Sequence, residues 1–176
     1  LSIQIPEQPG SFLRLCRIFG KAQITEFNYR MADESKAFVL VGIKTKTEES
    51  FKALKGKLKK SKFKFNDLTK NEISNDHLRH MVGGRNNQDA DKNSERIFRS
   101  EFPQKPDALI NFLRDFGTNW NISLFHYRNL GAAFAKVLIG IQDNPKSSKR
   151  LEAHLKGLEY NFVEETTNNA YQDFLR

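Results

Sequence analysis

The sequence contains a single cysteine, Cys16, in 176 residues, so an internal disulfide is excluded and a reducing compartment is predicted. Glycine and proline are scarce, at 10 and 5 residues, which excludes collagen-like and low-complexity classes. No apolar run approaches the roughly 20 residues that a membrane-spanning helix needs. The chain begins with Leu1 rather than methionine, which predicts a fragment or a processed product.

Positive charge and phenylalanine are present in quantity. Lys and Arg total 29 against 21 Asp and Glu, which gives a net charge of +8. Fifteen phenylalanines and a hydrophobic fraction of 38% supply enough apolar material for a core, and they exclude a disordered chain. The composition therefore predicts a globular, basic protein.

The sequence repeats itself once. IQIPEQPGSFLRLCRIFG, from Ile3, aligns with SEFPQKPDALINFLRDFG, from Ser100, at an offset of 97. After one extra residue in the second copy, ITEFNYR (Ile24–Arg30) aligns with ISLFHYR (Ile122–Arg128). Two copies of about 75 residues are too few and too large for a solenoid. They predict duplicated domains.

Each copy shows the same order of elements. A first helix carries apolar residues at i, i+3, i+4 and i+7, from Phe12 in copy one and from Leu109 in copy two. Gly20 and Gly117 follow at the helix ends. The further predicted elements are Ile24–Arg30, Ala37–Ile43, Glu48–Lys60 and Phe63–Leu68 in copy one, and Ile122–Arg128, Ala135–Ile141, Ser147–Leu158 and Tyr160–Glu164 in copy two.

This order is β-α-β-β-α-β twice, which is the split βαβ or ferredoxin-like arrangement. We predict an α+β fold with two such units in tandem, packed about a pseudo-two-fold axis because a unit of about 75 residues buries little surface alone. The predicted units span 1–82 and 97–176, and a polar, glycine-rich linker spans 83–96. His77, Leu78 and Met81 predict a short helical turn before that linker.

Catalytic chemistry finds little support in the sequence. Cys16 lies on the apolar stripe of the first helix, which favours a core position over a nucleophile. His77 and His80 have no third ligand beside them, so we predict structural or solvated histidines and no metal site. Gly83 and Gly84 are typical of a turn rather than of a phosphate loop. No catalytic residue is predicted.

Seven lysines cluster on and after the second helix of copy one. Such a cluster could bind phosphate backbones. An RNA-recognition sheet, however, needs stacking aromatic rings where this chain has Ile3, Ile5, Lys36 and Lys136, so a solvated helix face is the preferred interpretation. The lysines are Lys52, Lys55, Lys57, Lys59, Lys60, Lys62 and Lys64.

The two F-x-Y-R segments offer a candidate binding site. The strand period places Phe27 with Tyr29 on one face, and Phe125 with Tyr127 likewise. One interpretation is ordinary sheet core. The other follows from the need of a buried tyrosine hydroxyl for a partner. In this second interpretation, a small amino acid binds between these strands and the first helix, whose N-terminal N–H groups suit a carboxylate.

The segments IPEQPGSFLRLC, ITEFNYR, HLRHMVGGR, FPQKPDALINFL, WNISLFHYR and VLIGIQ together resemble the C-terminal regulatory region of biosynthetic threonine ammonia-lyase, or threonine dehydratase. The resemblance runs along the whole chain. It implies two ACT-like subdomains of the split βαβ fold, which bind isoleucine as inhibitor and valine as antagonist. It also implies a homotetramer whose N-terminal catalytic domain, absent from this chain, uses pyridoxal phosphate to convert threonine to 2-oxobutanoate and ammonia.

The resemblance places effector tyrosines at Tyr29 and Tyr127 and regulatory leucines at Leu109 and Leu113. One position departs from the pattern, because Asp107 stands where the family has glycine. Aspartate is a good N-cap, but its charge competes with a ligand carboxylate at the helix N-terminus. On this basis we expect the larger loss of affinity from Tyr29→Phe.

The resulting functional hypothesis is an allosteric regulatory domain without a catalytic site or cofactor of its own. Its expected partners are isoleucine, valine and the catalytic domain of the same polypeptide in a homo-oligomer, with no nucleic acid and no membrane. The expected location is the cytoplasm in a bacterium and a plastid or mitochondrion in a eukaryote. A free-standing ACT-like amino-acid-binding or interaction module stays open as the alternative.

Overall fold

The structure is a computed structural model, and it describes residues 1–31, 36–76, 78, 94–103, 105, 107–129, 131, 133–143 and 148–175. Both copies of the repeat fold in the predicted order, followed in each by a short helix. Unit one consists of β1 (Ser2–Pro6), α1 (Ser11–Phe19), β2 (Gln23–Arg30), β3 (Lys36–Lys44), α2 (Glu48–Lys60), β4 (Lys64–Asn66) and α3 (Glu72–Asp76). Unit two consists of β5 (Ser94–Pro103), α4 (Ala108–Phe116), β6 (Asn121–Arg128), β7 (Phe134–Asp143), α5 (Ser148–Gly157), β8 (Phe162–Glu164) and α6 (Asn169–Phe174).

The elements differ from the sequence prediction mainly at their ends. The last strand of each copy is shorter than predicted, and the helices α3 and α6 were not predicted. Strand β5 already begins at Ser94, inside the predicted linker 83–96, and residues 83–93 lie outside the described part of the chain. So do His77 and Met81 of the predicted helical turn. The division into 1–82 and 97–176 otherwise stays a prediction.

The first helix of each unit ends where its glycine stands. Gly20 has φ 57° and Gly117 has φ 75°, and the N–H of Gly20 donates to the carbonyl of Cys16 at 3.2 Å. A positive φ costs glycine little because it has no Cβ. Helix α2 begins differently, with the Thr47 side chain accepting a hydrogen bond from the N–H of Ser50 at 3.2 Å.

The eight strands of the described residues form one antiparallel sheet in the order β4-β1-β3-β2-β6-β7-β5-β8. The two units join through β2 and β6, where Tyr29 pairs with Phe125 and Phe27 pairs with Tyr127. Asn28 and His126, which are equivalent in the repeat, face each other at the centre of this pair. A pseudo-two-fold axis therefore passes through the seam, the β2–β6 pair at which the two units join. This confirms the predicted tandem α+β arrangement.

The main core lies between the sheet and the helices α1, α2, α4 and α5, and it runs without a break across the seam. Phe27 and Phe125 are fully buried there and meet edge to face, with ring centroids 5.8 Å apart. Phe12 of α1 and Phe112 of α4 also pack on Phe125, at 6.3 and 6.1 Å. Aromatic rings at these spacings stabilise beyond their buried area. The core interpretation of both phenylalanines is confirmed.

The opposite face of the sheet holds a buried ion pair between the units. Arg30 of β2 donates to both carboxylate oxygens of Glu95 on β5 and to the backbone carbonyl of Leu175. Glu95 also accepts hydrogen bonds from Ser123 and from the Tyr171 hydroxyl, the latter at 2.6 Å. These bonds satisfy two charges that would be costly to bury alone. They tie unit one to unit two and to the helix α6.

We expect Glu95→Gln to lower the free energy of unfolding by about 3–5 kcal/mol, because it leaves the Arg30 guanidinium buried without its counter-charge. Urea unfolding followed by circular dichroism measures this. The control is Lys136→Gln, which breaks an exposed ion pair with Glu101 and should cost less than about 1 kcal/mol. Equal costs for the two variants would contradict a stabilising role of the buried pair.

Candidate functional site

A cavity of about 1030 Å³ opens at the seam on the helix face of the sheet, and we call it the wide cleft. Unit two contributes the start of α4, from Asp107 to Ile110, together with Tyr127 and Asn129 from the end of β6. Unit one contributes the end of α1, the start of β2, the end of β3 and one side of α2. A small molecule in the wide cleft therefore contacts both units.

Two of the predicted effector residues, Leu109 and Tyr127, line the wide cleft. Leu109 is largely buried and gives the wall an aliphatic surface. The Tyr127 side chain is buried as well, and this burial raises the pKa of its hydroxyl while a hydrogen bond with the Asn129 side chain opposes the rise. The phenol is thus protonated at neutral pH. A hydroxyl both accepts and donates hydrogen bonds, so Tyr127 can serve as a donor to a ligand.

Charged side chains of mostly one sign surround the wide cleft. Five lysines line it, and Asp107 is the one acidic residue among its described lining residues. A site with cations and one carboxylate matches a zwitterion, since the lysines suit a carboxylate and Asp107 suits an ammonium group. The five are Lys21, Lys44, Lys46, Lys57 and Lys105.

Asp107 holds the backbone turn that begins α4. Its φ is 71°, close to the 85° of Gly10 at the equivalent position before α1. Aspartate is one of the few residues other than glycine that adopt this region. Asp107 occupies the N-cap position of α4, but its side chain makes no capping hydrogen bond.

The pseudo-two-fold axis relates the wide cleft to a second cavity of about 10 Å³, which we call the closed cleft. It is lined by Gly10, Phe12 and Leu13 at the start of α1, and by Leu113 and Trp120 of unit two. Leu113, a predicted effector residue, therefore lies in the closed cleft. The structure does not bring the four predicted residues into one site, because Leu109 and Tyr127 line the other cleft.

Tyr29, the fourth predicted residue, is buried beside the closed cleft and already has a partner. Its hydroxyl donates to one oxygen of Glu7, while the Asn121 side chain donates to the other at 3.1 Å. Its ring meets Phe12 edge to face at 4.7 Å. The sequence predicted a ligand as the candidate partner of this hydroxyl and did not indicate Glu7. The available signal was that Glu7 is a carboxylate between Pro6 and Pro9, whereas the second copy has Gln104 at the equivalent position.

The remaining candidate residues from the sequence either have structural or solvent-exposed positions or lie outside the described residues. Cys16 is buried, and burial raises the pKa of its thiol, as in a core residue. Among the described residues, no three His, Cys, Asp or Glu side chains group closely enough to hold a metal ion. His77, His80, Gly83 and Gly84 lie outside those residues. Lys55 is paired with Asp67 at 2.7 Å, and the other six lysines of the cluster are exposed.

Comparison with known families gives the site its context. A protein-family model described as the C-terminal regulatory domain of threonine dehydratase matches residues 1–78 and 86–175. The chain belongs to this family. The threonine dehydratase regulatory region predicted from the sequence motifs is therefore confirmed. In the part of the chain that the structure describes, no helix is long and apolar enough to cross a membrane.

Curated relatives place this regulatory domain within longer proteins. The chain is 42% identical to L-threonine dehydratase biosynthetic IlvA of Burkholderia multivorans, over 99% of this chain and 34% of that protein. It is 39% identical to the Escherichia coli protein of the same name, with the same coverage. It is 38% identical to the biosynthetic, chloroplastic threonine dehydratase of Arabidopsis thaliana, over 92% of this chain and 27% of that protein. The regulatory domain thus spans about a third of its bacterial relatives.

A solved structure shares the fold of the regulatory domain. Aspartate kinase from Synechocystis superposes with a TM-score of 0.52 at 12% sequence identity, covering 93% of this chain and 28% of that chain. Identity this low supports the fold alone. It agrees with two ferredoxin-like units in tandem.

The Glu7 carboxylate makes the stability of the regulatory domain depend on pH. Burial raises the pKa of Glu7 above its ordinary value, and the hydrogen bonds from Tyr29 and Asn121 only partly oppose this. The folded state therefore keeps the Glu7 proton to higher pH than the unfolded chain. The stabilisation is complete below the ordinary pKa of 4.5 and is lost as the pH rises through the raised value.

We expect Glu7→Gln to remove this pH-dependent stabilisation. As the pH rises from 4.5, the unfolding free energy of the wild type should therefore fall relative to that of the variant. Urea unfolding at half-unit steps of pH measures it. The exposed Glu159→Gln variant serves as the control and should leave the pH dependence unchanged. A difference that shifts in favour of the wild type with rising pH would contradict the sign argued here.

Proposed function

We propose that this chain is the allosteric sensor of a biosynthetic threonine dehydratase, with isoleucine as inhibitor and valine as antagonist. The observation that carries the proposal is the wide cleft, which both units build at their seam. Its aliphatic wall at Leu109 suits a branched side chain, and pockets of this kind combine apolar lining with a few placed polar groups. Isoleucine and valine differ by one methylene, which an apolar wall distinguishes only weakly.

The polar end of the ligand is matched by the start of α4. This helix has nine residues, and its N-terminus carries the partial positive charge that favours a carboxylate. In our proposal the ligand carboxylate lies toward the helix N-terminus and the lysines, with Tyr127 as a hydrogen-bond donor. Asp107 receives the ammonium group.

Regulation follows from a ligand held by both units. A ligand that binds one arrangement of the two units better than another shifts the population toward it. Helices α1 and α4 pack against each other across the seam, and the wide cleft lies between the end of α1 and the start of α4. Occupation of the cleft therefore acts on the packing of both units. In the whole enzyme this change would reach the catalytic domain of the same polypeptide and the other subunits of a homo-oligomer.

Pyridoxal phosphate is proposed to act in the catalytic domain and not here. The cofactor is held in such lyases through a lysine amine. In the described part of this chain no lysine is buried, and those in the wide cleft are exposed at its rim. These residues do not fit the cofactor. We expect calorimetry to detect isoleucine binding to the chain. With threonine and added pyridoxal phosphate, the chain should form no 2-oxobutanoate.

We expect Tyr127→Phe to weaken isoleucine binding up to tenfold, since a lost hydrogen bond of about 0.5–1.5 kcal/mol corresponds to at most about one decade. Tyr29→Phe should leave the affinity nearly unchanged, because its hydroxyl contacts Glu7 rather than the wide cleft. This reverses the order expected from the sequence. Titration calorimetry compares the two variants, and melting temperatures without ligand separate affinity from stability. A larger loss of affinity at Tyr29 would refute the assignment.

We expect Asp107→Asn to weaken isoleucine binding several-fold through loss of the pairing with the ammonium group. Asparagine adopts the left-handed backbone of this position, so the variant removes the charge without disturbing the turn. Calorimetry at two salt concentrations measures the effect. Lys59→Gln, an exposed change outside the wide cleft, is the charge control. Tighter binding by Asp107→Asn would show instead that Asp107 repels the ligand carboxylate.

A further inference from the structure

The two clefts are built from equivalent positions of the repeat. Around the wide cleft lie Phe19 and Ile24 of unit one and Leu109 of unit two, and around the closed cleft lie Phe116, Ile122 and Phe12. The same pair of elements therefore produces a cavity of about 1030 Å³ on one side of the axis and about 10 Å³ on the other. The copies differ here in their side chains and in one extra residue between the first helix and the following strand of the second copy.

Trp120 is one side chain that distinguishes the apolar part of the closed cleft from that of the wide cleft. Its equivalent in the wide cleft is Ala22, one residue before the strand in each copy. The Trp120 side chain is 7% exposed and fills the space that Ala22 leaves open. A tryptophan in place of an alanine adds enough volume to close a cavity that would hold a small side chain.

Neighbours on α4 and α5 fix Trp120 in this position. The His154 ring lies 4.8 Å from it, the Phe116 ring 6.0 Å, and the Arg150 guanidinium 5.8 Å over its face. His154 is itself held by a hydrogen-bond contact of 3.1 Å with the carbonyl of Phe116. The equivalents on α2 are Ala53 for Arg150 and Lys57 for His154, and both line the wide cleft.

Beside the closed cleft, the polar position equivalent to that of Tyr127 is occupied by groups of the protein itself. The Glu7 carboxylate accepts from the Tyr29 hydroxyl and from Asn121. Tyr29 is the equivalent of Tyr127, so the hydroxyl that would meet a ligand carboxylate already binds a carboxylate of the chain. Apolar and polar places of the second site are both filled.

We propose that each chain binds one amino-acid effector, in the wide cleft, and that Trp120 and Glu7 act as built-in occupants that close the equivalent second site. This rests on the proposed function, because it takes the wide cleft as the effector site. It assigns Trp120 a role as a determinant of stoichiometry. The duplicated fold then carries one effector site and one equivalent site that binds no effector.

Titration calorimetry of the full 176-residue chain with isoleucine tests the proposal. The expected stoichiometry is one ligand per chain. The variant Ala22→Trp places a tryptophan in the wide cleft at the position equivalent to Trp120 and should abolish binding. Ala53→Arg is a second variant that narrows the same cleft from α2. Lys59→Trp, which adds a tryptophan at an exposed position outside the wide cleft, should bind one isoleucine and serves as the matched control.

Trp120 is the single tryptophan of the chain, so its fluorescence reports directly on the closed cleft without any substitution. Saturating isoleucine should leave the emission maximum of the wild type unchanged, because the ring stays buried. Two ligands per chain, one ligand retained by correctly folded Ala22→Trp, or a red shift of Trp120 on binding would each overturn the single-site proposal while leaving the proposed function intact. No isoleucine binding by the wild type would instead overturn the proposed function.

Discussion

The antiparallel pairing of β2 with β6 is the constraint on which the structure depends. It makes one sheet from two units, and its register decides which side chains face each other across the axis. A slip of one residue would move Phe27 and Phe125 from the core to the opposite face and would separate Arg30 from Glu95. Because both faces of the seam are filled, by aromatic rings on one side and by an ion pair on the other, the register is strongly specified.

The same pairing explains why the candidate site lies between units. Each unit has one helix layer, and the starts of α1 and α4 are brought against the partner unit by the two-fold arrangement. A helix N-terminus from one unit thereby meets the strand ends of the other. Neither copy of the repeat could build either cleft alone. The duplication thus supplies the binding surface as well as the extra burial that a small unit needs.

Much of this architecture could be predicted from the sequence because it depends on periodicity and on the repeat. The apolar spacing from Phe12 and from Leu109 located α1 and α4, and the equivalence of the F-x-Y-R strands anticipated the pseudo-two-fold axis. The roles of individual side chains could not be predicted in this way. Tyr29 and Tyr127 are identical in pattern, and only three-dimensional packing shows that Glu7 binds the first and that the second faces a cavity. Helix α6 was missed because Tyr171 is stabilised by a partner 76 positions away.

The ends of the sheet have a consequence for assembly. The strands at the two edges, β4 and β8, contain three residues each, and Lys64 stands in the first of them. An edge this short offers few free backbone groups for another chain to extend, and charge on it discourages such pairing further. Growth of the sheet from one molecule to the next is therefore disfavoured at both ends. Such short edges make the described sheet a poor template for extension into fibres.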